Sequence, residues 1–302
     1  MPVRSYPTVK SVVPGPRLPS GSPLELPTTL AGCWVGRAKI DAMSESRDYS
    51  SISPSAKALL LVKAQTSLPF ARQAAEILFG SATVEQGASS DPAAVLRRMH
   101  FELRARSLDD ALRAVGANCI LEIAAGLSFR GLAMAASEDV AYFDTDLPEL
   151  VSIKEGLVAG MHPGPLVGSL CLQGLDALDA DAFRRTVRQM PSGALAVVHE
   201  GLLMYLGEEE KKRLATTVRE ALLERGGAWI TADVYVRSDT HLMRDESTER
   251  FLADHRVEEN KFADWRAAEA YFTDSGFSIE RRHAPGGDSW RVRETWTLRA
   301  RP

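Results

Sequence analysis

From residue 117 onward, apolar runs of strand length alternate with segments of helical periodicity, and this alternation constrains the fold more than any other feature. The apolar runs include NCILEIAAG, VAYFDTD and ALAVVHE, and EEEKKRLATTVREALLERGG is the clearest of the intervening helices. Strands that alternate with helices form a parallel sheet with helices on both faces. The sequence therefore predicts an α/β, doubly wound domain.

The residues ahead of this region fall into two parts. Residues 1–27 hold seven of the sixteen prolines, and we expect a Pro-rich, flexible tail over residues 1–50. Residues 51–116 show helical spacing interrupted by Pro69, and a long helix follows that opens at Asp91-Pro92 and ends at Gly116. We expect 51–116 to form a helical lid and 117–302 the α/β core of the same domain.

Composition and charge exclude several classes of protein. The formal net charge is −4, and without a basic excess or a polybasic run we expect neither nucleic acid nor a membrane surface as partner. No apolar run approaches the roughly 18 residues of a membrane span. Three scattered cysteines without C-x-x-C spacing, and the lack of paired histidines, argue against disulfides and metal. A cytoplasmic location is the expectation, and the oligomeric state stays open.

Carboxylates stand at or near the predicted ends of four successive strands. They are Glu122, then Asp144 and Asp146, then Asp176 and Asp179, and last Glu200. Carboxylates at buried strand ends are costly unless they are paired or bind something. Because ligands of open parallel sheets bind at the carboxyl ends of the strands, these acids predict a ligand site there.

The segment ILEIAAGLSFRG, residues 120–131, has the form of a nucleotide-binding turn with only Gly126 at a usual glycine position. From this turn to Asp144 or Asp146 is about 20 residues, the usual interval to an acid that binds a ribose diol. The two acids lie two residues apart and so share a strand face. The spacing predicts a cofactor that contains adenosine.

The residues of the same turn distinguish between two classes of cofactor. A dinucleotide needs G-x-G-x-x-G for close approach to its pyrophosphate, and here those positions hold Ala124, Gly126 and the bulky Phe129. S-adenosyl-L-methionine (SAM) has no phosphate, and its ammonium and sulfonium groups favour an acid-lined cleft. The comparison favours SAM. An NAD(P)-dependent oxidoreductase and a non-catalytic, SAM-binding partner protein remain as alternatives.

Four segments in order resemble the motifs of leucine carboxyl methyltransferase-like enzymes, a group that includes bacterial O-methyltransferases of polyketide biosynthesis. They are LEIAAGLSFRG, YFDTDLPEL with Lys154 after it, LDALD, and VVHEGLLMYL. The resemblance runs from about residue 55 to the C-terminus. It implies the class I SAM-dependent methyltransferase fold, a Rossmann-like, mostly parallel sheet of seven strands whose last strand is antiparallel.

The resemblance also implies roles for individual residues around the methionine part of SAM. The residues expected to line it are Glu122, Ala124, Ala125 and Gly126. Glu200 is expected near the sulfonium or amino group, Arg104 at the cofactor carboxylate, and Tyr205 near the transferred methyl group. Two positions depart from the family pattern, since Ala124 replaces a glycine and Ser128 replaces a frequent aspartate.

Around the adenosine part, the resemblance implies that Asp146 holds the ribose, with Asp144 as the second choice. The residues expected to border the adenine are Asp176, Ala177 and Leu178.

The acceptor is expected to be a small organic, secondary-metabolite-like molecule with a carboxylate or a hydroxyl. A carboxylate arrives ionised and needs no base, whereas a phenol gains from one. His199 adjoins Glu200 on a strand, so the two side chains point to opposite faces and His199 is expected to be packed. His100 and His241 are expected at the surface, and no general base is assigned. The sequence thus predicts a SAM-dependent O-methyltransferase without a metal.

Overall fold

A computed structural model describes residues 52–237, 253, 256–283 and 294–302 of the chain. The tail expected over residues 1–50 lies outside the described residues, and so does His241.

A sheet of seven strands forms the centre of the described part, in the order β3-β2-β1-β4-β5-β7-β6. The strands are β1 (Cys119–Glu122), β2 (Ala141–Asp146), β3 (Ser169–Gly174), β4 (Leu195–His199), β5 (Gly227–Thr231), β6 (Phe277–His283) and β7 (Thr295–Ala300). The first five are mutually parallel, and β7 runs antiparallel to both β5 and β6. The predicted α/β class and the antiparallel last strand are confirmed.

Ten α-helices are described. They are α1 (Ile52–Lys63), α2 (Ala71–Phe79), α3 (Ser81–Gln86), α4 (Pro92–Val115), α5 (Arg130–Ser137), α6 (Pro148–Met161), α7 (Ala180–Gln189), α8 (Glu208–Arg225), α9 (Val257–Asn260) and α10 (Trp265–Asp274). The first four precede the sheet, as the helical spacing of 51–116 predicts. The break between α1 and α2 contains Pro69, which lacks the N–H that a continuous helix needs.

Local signals place the ends of α4 where the sequence predicts them. The side chain of Asp91 accepts a hydrogen bond from Ala94 N at 3.2 Å, and Pro92 occupies the first turn. Gly116 ends the helix with φ of 65°, a left-handed conformation that costs glycine little.

Two strands differ from the sequence prediction. The apolar run AWITADVYV predicts a strand to Val236, but β5 ends at Thr231 and the chain then leaves the ladder. At Asp233 the carboxylate binds backbone N–H groups of another loop. β6, over FSIERRH, is not predicted from its residues, because it is an edge strand whose side chains are mostly exposed or half-buried.

Buried apolar side chains form a layer on each face of the sheet. One cluster packs α7, α8 and α10 against the face that carries Trp229 and Trp296, and a second packs α4 against the other face. A third cluster lies between α1, α2, α5 and α6 and includes Leu60, Phe129 and Leu132. Over the described residues, none of the helices combines the length and apolarity that crossing a bilayer requires.

Neighbouring glycines at the start of β5 provide a test of this arrangement. A Cβ on Gly227 would lie 1.9 Å from the carbonyl oxygen of Leu195, its partner on β4, whereas a Cβ on Gly226 meets nothing within 4 Å. Both have positive φ. We expect Gly227→Ala to lower the free energy of unfolding by about 3 kcal/mol, and the control Gly226→Ala by about 1 kcal/mol.

Urea unfolding followed by circular dichroism measures both values. Equal losses in the two variants would contradict the close approach of β4 and β5 at this position.

Candidate functional site

The carboxyl ends of β1, β2 and β4 meet at one edge of the sheet. Glu122, the last residue of β1, is in register with Asp144 of β2 on one side and with Val198 of β4 on the other. The strand order reverses between β1 and β4, and ligands of open parallel sheets bind at such a reversal. The predicted acids of these strands therefore gather at one place.

The turn after β1 is tied to both neighbouring strands. Ile123 N donates to Val198 O at 2.9 Å, and Ala125 N donates to Thr145 O at 3.0 Å. Ala124 and Gly126 both adopt left-handed backbone, with φ of 51° and 56°. The alanine therefore occupies a conformation that favours glycine, at a cost of roughly 1 kcal/mol or more. The side chain of Ala125 is buried.

Asp146 binds this turn directly. Its Oδ2 accepts from Gly126 N at 2.6 Å, and its Oδ1 accepts from Leu147 N at 2.7 Å. Burial raises the pKa of this carboxyl, and the two backbone N–H groups counteract the rise. A carboxylate has about four lone-pair sites, so the two that remain can accept from a diol.

The loop expected at the adenine lies beside Asp146. Leu175 N donates to Asp146 O at 2.7 Å, and Asp176 Oδ1 accepts from Leu178 N at 2.9 Å. Ala177 is buried, and Leu178 is half-buried. The structure thus brings this predicted segment next to the predicted ribose ligand.

Two of the predicted cofactor ligands are already committed to partners within the protein. Asp144 is 1% exposed, and both of its oxygens accept from Lys154 Nζ at 2.6 Å. Burial raises the pKa of Asp144 to about 7 against the attraction of Lys154. Both ribose candidates accept two hydrogen bonds, but Asp144 is 1% exposed and paired with Lys154, whereas Asp146 is 7% exposed and lies against the turn, so Asp146 is the better placed of the two for a ligand.

Glu122 is fully buried, and its two oxygens accept from Arg130 Nη1 and, at 2.7 Å, from Tyr142 Oη. Its carboxylate supports Arg130, and its direct contact with the methionine part stays a prediction. Glu122 lies at the end of β1, as predicted, but its carboxylate is enclosed by Arg130 and Tyr142.

Glu200 is the centre of the site. Its Oε1 lies 2.7 Å from Arg104 Nη2 and 3.1 Å from Lys63 Nζ, and its Oε2 lies 3.1 Å from Arg130 Nη2. Burial raises the pKa of this carboxyl, but the charges of Lys63, Arg104 and Arg130 outweigh burial and hold the pKa well below its usual range. Glu200 is therefore ionised in neutral solution.

The charges of this cluster balance. Arg130 also binds Asp109, with 2.6 Å between Nε and Oδ1, and Glu122, so three cations face three carboxylates. A cofactor amino-acid group carries one ammonium and one carboxylate. Its entry adds one charge of each sign, so the balance between cations and carboxylates is kept.

The helix α1 reaches the site at two points. Lys63, at its end, binds Glu200, and Ser55, near its start, shares a side-chain hydrogen bond with Tyr205. Tyr205 closes a short 3-10 helix, Leu203–Tyr205, that follows β4. Burial raises the pKa of Tyr205 to about 12, so its phenol stays protonated in neutral solution.

Arg104 lies on α4, the helix before β1, and its guanidinium binds both Glu200 and Tyr235. Its Nη1 donates to Tyr235 Oη at 2.7 Å, while Nε and Nη2 donate to Glu200. The guanidinium also stacks 5.0 Å from the ring centre of Phe101.

Several residues of the site are absent from the sequence prediction, among them Lys63, Arg130, Asp233 and Tyr235. Asp233 is an acid within a predicted strand run, as Glu122 is, and Arg130 is a charge within an otherwise small and apolar turn. Those signals could have identified both. The sequence around Lys63 and Tyr235 has no comparable signal that would identify them as site residues. The expectation that His199 is packed is confirmed, since its ring is fully buried.

Comparison with known proteins identifies the family. The model of the leucine carboxyl methyltransferase family matches residues 34–219, which is more than half of the chain. The chain belongs to the leucine carboxyl methyltransferase family. Its fold is the class I SAM-dependent methyltransferase fold, and SAM is its cofactor.

Individual relatives are distant. A protein of Parafrankia sp. (strain EAN1pec), named as a SAM-dependent methyltransferase, is 28% identical over 134 residues, which cover 41% of each chain. The match thus spans less than half of that relative. A DUF574 family protein from Streptomyces avermitilis is 15% identical over 76% of this chain and 91% of its own, with a TM-score of 0.48.

Magnesium protoporphyrin IX methyltransferase from Synechocystis, solved with bound S-adenosylhomocysteine (SAH), is 13% identical. The match covers 74% of this chain and 95% of that enzyme, with a TM-score of 0.44. Similarities this low do not bear on the acceptor of this chain.

The residues present fit SAM. A Cβ on Gly126 would meet only Ala56 Cβ of α1, at 3.9 Å, so the turn leaves room for an additional group at this position. Asp146 retains acceptor positions beside this turn, and a paired anion and cation, Glu200 and Arg104, match the ends of an amino acid. Among the described residues, no group of three His, Cys, Asp or Glu side chains could hold a metal ion.

The left-handed alanine gives a test of the turn. We expect Ala124→Gly to raise the free energy of unfolding by about 0.5 to 1 kcal/mol, because glycine adopts this φ without steric cost. The matched control is Ala125→Gly, at a position without positive φ, which we expect to lower it by a similar amount.

Chemical unfolding of both variants measures the difference. If both substitutions destabilise the protein equally, the turn does not have the backbone described.

Proposed function

We propose that this protein is a SAM-dependent O-methyltransferase that methylates a small organic acceptor, with a carboxylate as the first candidate and a hydroxyl as the second. Bound SAM supplies a methyl group on a positively charged sulfur. The protein then has to orient the acceptor oxygen in line with that methyl group and exclude water. The following contacts support this proposal.

For the cofactor, we assign the ribose to Asp146 and the adenine to the loop of Asp176, Ala177 and Leu178. Ala124 and Gly126, the half-buried residues of the turn, face the methionine part, with Ala125 behind them. The assignment leaves the paired charges of Glu200 and Arg104 for the amino and carboxylate groups.

The choice of acceptor rests on the pairing and burial of the titratable side chains at the strand ends. Glu122, Asp144 and Glu200 are held by cations, and His199 is fully buried against Asp233. The high pKa of Tyr205 keeps its phenol protonated. These described strand-end groups are buried and already paired within the protein, so an acceptor that arrives ionised suits the site best.

A carboxylate, with an ordinary pKa near 4, meets that requirement, whereas a phenol, with a pKa near 10, does not. Helix α1 covers Glu200 and Tyr205, so the site is shielded from water once α1 is in place. Tyr205 shares a hydrogen bond with Ser55, and we assign its protonated phenol to orienting the acceptor.

A non-catalytic, SAM-binding partner protein is the second candidate. Ala124, in a position that favours glycine, is the observation that favours it, because the strained turn can misplace the methyl donor. The nicotinamide alternative is wrong, because the family and its cofactor are those of a SAM-dependent methyltransferase.

The ribose assignment is tested with Asp146→Asn. The amide cannot accept from two backbone N–H groups and a diol at once, so we expect SAH affinity to fall about 10- to 100-fold. Asp181→Asn is the matched control, because that acid lies exposed on α7, with its side chain 79% accessible. Isothermal titration with SAH gives both constants, and unchanged binding by Asp146→Asn would contradict the assignment.

The acceptor class is tested by the chemistry of the product. Methyl-labelled SAM is incubated with the protein and a small-molecule extract, and the product is treated with mild base. A methyl ester releases volatile methanol, whereas a methyl ether is stable. We expect base-labile label, formed at a rate that stays constant between about pH 6 and pH 9 because the acceptor is already ionised.

Base-stable label with a rate that rises with pH would establish a hydroxyl acceptor instead. Tight SAH binding without label in any product would support the non-catalytic alternative.

A further inference from the structure

A second buried acid lies behind the cofactor site. Asp233, just after β5, is 1% exposed, and its Oδ2 lies 2.8 Å from Nδ1 of His199, the last residue of β4. Both side chains are enclosed by the protein, and neither belongs to the contacts assigned above to cofactor or acceptor.

The carboxylate of Asp233 also binds the loop that leaves β4. Its Oδ1 accepts from Gly201 N at 2.7 Å, and its Oδ2 accepts from Leu202 N at 2.6 Å and Leu203 N at 3.2 Å. These residues connect Glu200 to the 3-10 helix that ends at Tyr205. With His199 as fourth donor, the carboxylate uses its acceptor capacity fully on this loop.

Asp233 is joined to Glu200 by a second route. Tyr235, two residues further along, binds Arg104, and Arg104 binds Glu200. A closed ring therefore runs from Asp233 through the loop to Glu200, on to Arg104 and Tyr235, and back along the chain. Movement of Asp233 would displace both members of the charge pair that faces the cofactor's amino-acid group.

We propose that Asp233 is a positioning residue for methyl transfer, which holds Glu200 in place for the cofactor, and that His199 supports it through Nδ1–H. The proposal rests on the contact between Glu200 and the cofactor assigned above. Asp233 itself does not touch the cofactor.

The protonation of the pair agrees with these roles. Burial raises the pKa of Asp233, but the hydrogen bond from His199, together with Arg104 and Gly201 N–H, holds it below its usual value. An ionised carboxylate only accepts, so the hydrogen lies on His199 Nδ1. Nε2 of His199 is buried without a hydrogen-bond partner among the described residues, so a proton there would be left unpaired.

The test is a double-mutant cycle on SAH affinity, measured by titration calorimetry with the full chain. Asp233→Asn keeps the shape of the side chain but places an NH2 group against backbone donors. We expect it to weaken SAH binding about 10- to 100-fold in the wild-type background and less than about 3-fold in the Glu200→Gln background. A residue that acts through Glu200 has little effect once Glu200 no longer bears its charge.

The SAH affinities of these variants distinguish an error in the role of Glu200 from an error in the role of Asp233. If wild-type protein does not bind SAH, or Glu200→Gln binds as wild type, the assignment of Glu200 to the cofactor is wrong, and the positioning role of Asp233 is overturned with it. Equal losses from Asp233→Asn in both backgrounds, or no loss in either, would overturn the positioning role. Val218→Ala, a buried change in α8, controls for general destabilisation, since it should lower the unfolding midpoint and leave SAH affinity unchanged.

Two substitutions at His199 test the pair with Asp233 intact, in case Asp233→Asn does not fold. Asparagine places an amide N–H near the position of Nδ1, whereas glutamine extends towards Nε2. We expect His199→Asn to keep SAH affinity within about 3-fold and His199→Gln to lose about 10-fold. The opposite order would overturn the role of Nδ1–H.

Discussion

The site of this protein depends on one buried carboxylate, Glu200, that is shared by three cations. Lys63, Arg104 and Arg130 come from α1, α4 and α5, so a single residue at the end of β4 joins three helices. Taking these charges out of water is costly, and the mutual attraction offsets that cost only while the geometry is kept. Glu200 therefore acts less as a source of stability than as a point that specifies where the helices meet the sheet.

Carboxylates of similar sequence context have different functions in the folded protein. Asp144 and Glu122 are closed off by Lys154, Arg130 and Tyr142, and they support the elements that carry those residues. Asp146, two residues beyond Asp144, holds the turn and keeps acceptor positions for a ligand. Asp144 and Asp146 differ in whether the cation of another element, Lys154, binds the carboxylate, which periodicity along one strand does not indicate.

Local signals made much of the fold predictable. Asp91-Pro92 and Gly116 define α4, and the alternation of apolar runs predicts the parallel strands, because capping and burial act within a few residues of the chain. The end of β5 at Thr231 and the edge strand β6 were not predictable in this way. The first depends on bonds between Asp233 and a loop some thirty residues away, and the second on pairing with β7 over largely exposed residues.

The sequence by itself determined the α/β class, the turn at Gly126, the acids at the ends of four strands and, through its motifs, the family and its cofactor. These follow from local periodicity and from residue types at short spacings. Only the tertiary structure decided which acids face the cofactor and which are closed off by cations, and that Asp233 and Lys63 belong to the site. Those properties are set by burial and by contacts between residues distant in the chain, and the free energy of a charge depends on both.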